Sequence, residues 1–155
     1  MADNSPARSF KTPPRWMIPW ISRAHVRLYR RTDGRIGGKL AGMRGVLVTT
    51  TGRRSGHEHT VCLPYFSDDG DRIVVASFAG APTHPAWYVN MLADPAVTVR
   101  ERARSFPARA ETVIGDDRAG VWERLTDRYP WYLDYQSGTE REIPLVRLVE
   151  VGDDQ

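Results

Sequence analysis

Apolar and polar positions change rhythm several times along the chain, and each change predicts an element. Trp20, Ala24 and Leu28 recur one helical turn apart, with Ile21 beside them. Arg23, Arg27, Arg30 and Arg31 form a second stripe. Pro19 suits a first helical turn, so a helix is expected to begin near it, within a basic amphipathic segment spanning residues 15–33. Trp16, Met17 and Ile18 lie just before it. The glycine-rich stretch from Gly34 to Gly45 reads as a loop. Three extended segments follow: Val46 to Thr51, Thr60 to Phe66, and Arg72 to Ser77. The turn signal DDGD, Asp68 to Asp71, separates the last two, so the three form an antiparallel meander.

Thr83 can cap a helix from His84 to Leu92, ended by Asp94-Pro95. Ala96 to Glu101 alternates as a strand. Arg104 to Ile114 is another, with Pro107 suggesting an edge or a bulge. Asp116 or Asp117 can cap a further helix reaching Arg128, with Trp122, Leu125 and Tyr129 on one face. The aromatic run YPWYLDY spans Tyr129 to Tyr135, and Leu145 to Val151 is a last strand. Six strands with two intervening helices do not suit a doubly wound parallel sheet. They suit a small antiparallel barrel with helices packed outside, mainly β with α.

The 155 residues suit one domain, placed at 34–152, behind the helical segment and a polar, proline-containing tail at 1–14 that reads as disordered. A chain this long buries roughly 70% of its unfolded surface, so its core needs no staples. Cys62 is the single cysteine, which excludes an internal disulfide and fits a reducing compartment. No apolar run reaches the roughly 20 residues of a spanning helix, and the N-terminus lacks a signal-peptide core. A cytoplasmic location is expected.

Charge changes the picture more than composition does. Residues 1–56 carry 12 basic and 2 acidic side chains, and residues 57–155 carry 10 and 17, so the net +3 is a sum of +10 and −7. The basic end calls for an anion: phosphate, nucleic acid or a membrane surface. Arginine supplies it almost alone, since only Lys11 and Lys39 are lysines. The sharpest local feature is TTTGRRSGHEH, Thr49 to His59, between the first two strands. Gly52 and Gly56 permit tight turns and leave amides exposed, Arg53 and Arg54 offer forks matched to phosphate oxygens, and Thr51 and Ser55 add hydroxyls. The spacing is not that of a Walker loop. A solvated hairpin tip is the plainer reading of the same residues.

Other groups admit two readings each. Helix N-termini present bare amides, so the start near Thr83 is a second anion-friendly element, although Trp87 and Tyr88 also suit packing on the barrel. Tyr129, Tyr132 and Tyr135, three apart, build either an aromatic pocket wall or a core-closing cluster. His57, Glu58, His59 and Cys62 lack a second cluster to complete a tetrahedral metal site, and no nucleophile-elbow motif surrounds Ser55 and His57. No metal is expected.

Taken together, TTTGRRSG, LPYF, VVASFAGAPTHPAWYVNMLADP and RYPWYLDYQS, in this order and spacing, closely resemble the deazaflavin-dependent nitroreductase family over about Trp20 to Val149. The resemblance implies a split β-barrel of the FMN-binding type. It implies coenzyme F420, a deazaflavin, as the cofactor, and hydride transfer from its reduced form to a quinone, a nitroaromatic or another unsaturated acceptor. By this likeness Arg53, Arg54 and Ser55 grip the coenzyme's phosphate and acidic tail. Pro64, Tyr65 and Phe66 run along the coenzyme, Ala76 and Ser77 lie beside its ring, and Pro85, Ala86, Trp87 and Tyr88 stand over it. Tyr129, Tyr132 and Tyr135 shape the substrate side, with Ser77 opposite. Tyr135, Tyr132 or Ser77 would hydrogen-bond the acceptor oxygen as charge develops. Phe78 and Leu92 stand where the family often has lysines, which weakens the grip on an anionic tail, and Phe78 would reshape the substrate pocket. The N-terminal helix either meets the inner face of an anionic membrane through residues 16–31 or packs on the barrel. The alternatives are an FMN-dependent oxidoreductase on the same barrel, a basic nucleic-acid-binding module without enzymatic activity, and a carrier that holds the coenzyme without turnover.

Overall fold

The computed structural model describes Pro14 and residues 16–152; the expected tail lies almost wholly outside the described residues. Six antiparallel strands close into a barrel: β2 (Met43–Thr51), β3 (Glu58–Asp68), β4 (Asp71–Val75), β7 (Leu145–Glu150), β6 (Arg104–Thr112) and β5 (Ala96–Glu101), in that spatial order, with β5 pairing back onto β2. The closing pairs are Leu47 with Arg100, Val48 with Val99 and Thr49 with Thr98. A two-residue strand, β1 (Lys39–Leu40), adds to the start of β2 inside the expected glycine loop. Among the described residues, closure leaves no long edge for another chain to pair with.

Alternation explains which residues fill the barrel. Val46 and Val48, Tyr65, Val74, Val97 and Val99, Phe106 and Ala108, and Val146 and Leu148 form one buried cluster. Helix α2 (Ala86–Ala93) adds Tyr88 and Met91 to the same cluster. β2 is apolar on consecutive residues because its outer face is covered too: Leu47 packs under Val26 and Tyr29 of α1 (Ile18–Thr32). Helices α3 (Gly115–Arg128) and α4 (Trp131–Ser137) cover another outer face, where Val121, Leu125 and Tyr132 meet Met43, Ile73 and Leu145.

Several boundaries differ from the sequence reading, each for a local reason. β2 begins at Met43 rather than Val46, since β1 pairs with it there. β4 stops at Val75, because Ser77 onward turns through Phe78, Ala79 and Gly80, all at positive φ. Thr83 does not cap α2; Pro85, in extended conformation, does, and the helix starts one residue later. Asp116 and Asp117 sit in the first turn of α3, where they complement the helix dipole, and Ile114 is the cap. Pro107 is at neither an edge nor a bulge: it lies within β6, opposite Thr98, with its carbonyl accepting from Val151. The Asp69-Gly70 turn stands as expected, both residues at positive φ.

Candidate functional site

The turn between β2 and β3 is held from inside. Gly52 donates to the His57 carbonyl at 2.8 Å and Gly56 to the Gly52 carbonyl at 2.8 Å. Both glycine amides, expected to be exposed for an anion, are therefore spent within the turn. A Cβ on Gly52 would come within 2.6 Å of Ser55 Oγ and 2.8 Å of His59 Nε2, so it would displace these two side chains. Asn90 of α2, buried, clamps the turn: its Oδ1 accepts from Arg53 N and Arg53 Nη1, both at 3.2 Å, and its Nδ2 donates to Thr50 Oγ1 at 3.3 Å. Arg54 and Ser55 are exposed beside it.

This turn forms one wall of a cleft of about 750 Å³. Ala86 and Trp87, at the start of α2, form a second wall. The third wall is α1. Val26 and Tyr29 fix that helix: Tyr29 Oη donates to the Gly45 carbonyl at 3.1 Å and accepts from Arg102 N at 2.9 Å. With that face down, Arg23, Arg27 and Arg30 turn to one flank and into the cleft. The stripe of Trp20, Ala24 and Leu28, with Ile21, faces outward and is exposed. The cleft thus gathers five arginines against a single carboxylate, Glu58. Among the described residues, none of the five joins an ion pair, whereas six other arginines do. The three α1 arginines were visible as a stripe in the sequence, but which wall they face depends on where Tyr29 docks.

The aromatic group lies elsewhere. Phe66 meets Tyr129 edge to face at 6.2 Å, and Tyr132 meets Tyr135 at 5.9 Å. Tyr132 is only 4% exposed, and its hydroxyl points to Met43 Sδ at 3.6 Å. Burial first, then the neighbouring phenols Tyr135 and Tyr129, push its hydroxyl up to about 12. Tyr135 and Tyr129 are half-buried. The Ser77 loop comes up against α4, since a Cβ on Gly80 would lie 2.9 Å from the Tyr135 carbonyl oxygen.

Arg141, absent from the sequence reading, ties that loop down. Its guanidinium donates to the carbonyls of Ala81 (2.8 Å), Ala76 (3.0 Å) and Ser77 (2.7 Å), and meets His84 Nδ1 at 3.0 Å. Burial, then the charge of Arg141, holds the His84 imidazole below the usual histidine range, so the neutral ring accepts from Arg141. Backbone carbonyls around 60 residues away leave no trace in sequence spacing, so only the fold reveals this contact.

Tyr65 points into the barrel and donates to Glu101 Oε1 at 2.5 Å; Arg72 holds Glu101 Oε2 at 2.9 Å through Nε. Burial alone would raise the Glu101 carboxyl, but Tyr65 and Arg72 together hold it below its ordinary value. Ala76, Pro85 and Tyr88 are buried, while Pro64 is half-buried and Phe78 is 46% exposed. Cys62 lies under α1, and burial raises its thiol to about 11, which disfavours the thiolate. Among the described residues, no group of His, Cys, Asp and Glu could hold a metal ion, and no helix is long and apolar enough to cross a membrane.

Known proteins bear on this geometry. Residues 20–150 match the family model described as F420H(2)-dependent quinone reductase. The chain is 35% identical over 132 residues to an F420H(2)-dependent quinone reductase of Mycobacterium tuberculosis, covering 83% of this chain and 89% of that protein. Among solved structures, an F420-H2 dependent reductase superposes with TM-score 0.60 at 37% identity, over 67% of this chain and 92% of its own. A chain described as a domain-swapped dimer superposes with TM-score 0.61 at 32% identity, over 84% and 97%.

Proposed function

Because the chain belongs to the family of F420H(2)-dependent quinone reductases, we propose that its arginine cleft holds the anionic end of coenzyme F420 while the Ser77 loop and the tyrosines receive the acceptor. The protein is an oxidoreductase, and its cofactor is the deazaflavin F420. When bound in its reduced form, that coenzyme supplies a hydride to a quinone, a nitroaromatic or another unsaturated acceptor. The observation that carries the site assignment is the concentration of five arginines around one carboxylate in a single cleft. Like charges held together destabilise a fold unless an anion answers them. The donor set suits that anion, since guanidinium forks match phosphate and carboxylate oxygens in pairs.

The remaining roles follow from position. Asn90 presets the Arg53 fork, so less freedom is lost when an anion arrives. Ser55 adds a hydroxyl beside it, and Trp87 walls the cleft opposite α1. Arg141 steadies the segment Ala76–Ser77 expected beside the ring. Of the candidate donors to the acceptor oxygen, Tyr135 and Ser77 are half-buried and accessible, whereas Tyr132 is enclosed and serves as wall. A hydrogen bond from Tyr135 strengthens as negative charge grows on that oxygen. Phe78, exposed at the loop tip, borders the acceptor side. The outward stripe of α1, with Trp16, Trp20, Ile21 and Leu28 exposed, supports contact with a lipid surface and thus access to a lipid-soluble quinone.

Parallel fluorescence titrations with F420 and with FMN, followed by a quinone-dependent oxidation assay with reduced F420, test the reading. Saturable uptake of F420 and quinone-dependent oxidation are expected. Uptake of FMN with none of F420 would overturn it.

A further inference from the structure

His84 lines neither the cleft nor the tyrosine cluster, yet its imidazole is held by the same side chain that holds the Ser77 loop. It is half-buried and precedes Pro85 at the entry to α2. Its Nδ1 lies 3.0 Å from Arg141 Nη1. A guanidinium only donates, so Nδ1 accepts and carries no proton in this contact. The rest of that guanidinium is spent on the loop: Nε on the Ala81 carbonyl, Nη1 on Ala76 and Nη2 on Ser77. One arginine thus ties the loop after β4 to the start of α2, whose Ala86 and Trp87 wall the cleft.

The tied loop is strained. Phe78, Ala79 and Gly80 stand at φ 46°, 52° and 76°, and the first two carry side chains, so the turn persists only because its surroundings hold it. Two titratable groups face the His84 ring. One is Arg141; the other is Tyr88 of α2, whose ring meets it edge to face at 5.0 Å and whose hydroxyl is engaged with Thr112 Oγ1 of β6 at 3.2 Å. Among the described residues no carboxylate pairs with His84, and Glu142, beside Arg141 in sequence, pairs with Arg118 at 3.1 Å. A proton arriving on Nδ1 therefore meets no compensating anion. It removes the acceptor and sets an imidazolium against the guanidinium, at the positive end of α2.

We propose that His84 is a positioning residue that works as a proton-operated latch: the neutral ring keeps the Arg141 fork on the Ala76–Ala81 loop, and the protonated ring repels the fork and frees the loop, so that turnover is lost on acidification while the coenzyme stays bound. This rests on the acceptor-side assignment of the Ser77 loop above. The change falls below pH 6.5, since burial and then Arg141 both oppose the charged ring. Losing one hydrogen bond with a charged partner shifts an equilibrium by about ten-fold or more, which is enough to release a turn already strained.

The test compares the wild type with His84→Asn, whose side-chain oxygen offers an acceptor near the place of Nδ1 and does not titrate, and with His84→Leu, which offers none. Circular dichroism verifies that each folds. In the coenzyme-free proteins, hydrogen exchange of residues 76–81, corrected for its intrinsic pH dependence, should quicken about ten-fold in the wild type between about pH 7.5 and 5.5. It should stay level in His84→Asn and be fast throughout in His84→Leu. In quinone-dependent oxidation of reduced F420, wild-type kcat should fall about ten-fold relative to His84→Asn over the same range, with coenzyme affinities within about three-fold. The ratio of the two profiles cancels any titration of the coenzyme or the acceptor. Level exchange in the wild type overturns the latch, as does an Asn variant whose loop loosens in parallel. A loop that loosens on acidification while the kcat ratio stays constant overturns its tie to the acceptor side. A wild type that oxidises no reduced F420 at any pH overturns the functional reading itself, a distinct outcome, and the link to turnover with it.

Discussion

Replacing Arg141 with methionine keeps an unbranched stem of similar reach and removes every donor. The structure shows what is lost: bonds to three backbone carbonyls, of Ala76, Ser77 and Ala81, and one to His84 Nδ1, at 2.7–3.0 Å. A hydrogen bond with a charged partner contributes about 1.5–3 kcal/mol net. Four would total about 6 kcal/mol or more, but burial already works against the guanidinium, lowering its pKa, and part-buried carbonyls can turn to water. About half, ~3 kcal/mol, should survive as lost stability. The loop these bonds restrain is itself unfavourable, with Phe78 and Ala79 at φ 46° and 52°, where side-chained residues cost about 1–2 kcal/mol each. With a urea m-value of about 2 kcal/mol/M, the midpoint should fall by about 1.5 M, and Tm by about 6–12 °C. Arg141→Lys keeps the charge without the fork and should lie between. In turnover assays Arg141→Met should lower kcat while coenzyme affinity, set in the cleft, stays within about three-fold. A urea midpoint within about 0.3 M of wild type would refute the reasoning, since the four contacts would then contribute no net stability.

Gly80→Ala places a Cβ 2.9 Å from the Tyr135 carbonyl at a φ of +76°, and should cost about 2 kcal/mol, measured as a Tm lowered by about 4–8 °C. His84 gives a pH dependence with a definite sign. Its folded pKa lies below the ordinary 6.5, so the unfolded chain binds more protons in that window, and stability is present above pH 6.5 and lost as pH falls through the folded value. His84→Gln should flatten the urea midpoint against pH between about 7 and 5. Tyr135→Phe should lower turnover by about ten-fold or more with coenzyme affinity unchanged; equal turnover would remove its role as donor to the acceptor.

The barrel was legible because strands carry their burial in a period of two. Val97 and Val99, or Phe106 and Ala108, announce an inward face without any knowledge of partners. Asp69-Gly70 announced a hairpin by its turn chemistry. The orientation of α1 was not legible. Its apolar stripe left open whether Trp20, Ala24 and Leu28 would pack on the barrel or face outward; Val26 and Tyr29 are the buried residues. What decides it is non-local: the Tyr29 hydroxyl finds Gly45 and Arg102, across the β2–β5 closure. The consequence reached function, because that choice sends the arginines toward the cleft. In the same way LPYF was readable as a strand, but Tyr65 faces Glu101 inside the barrel while Phe66 faces Tyr129 outside. Met43 was hidden in a glycine-rich loop that looked unstructured, yet it floors the α4 packing beneath Tyr132.

The double variant R53Q/R54Q tests the central claim most directly. Glutamine preserves polarity and much of the length while removing both charges, and the turn keeps its internal bonds from Gly52 and Gly56. Fluorescence titration with F420 should show affinity weakened about 30-fold or more, as expected for loss of two charge-assisted contacts to one anion. Coenzyme uptake at wild-type affinity would contradict the claim that this turn anchors it.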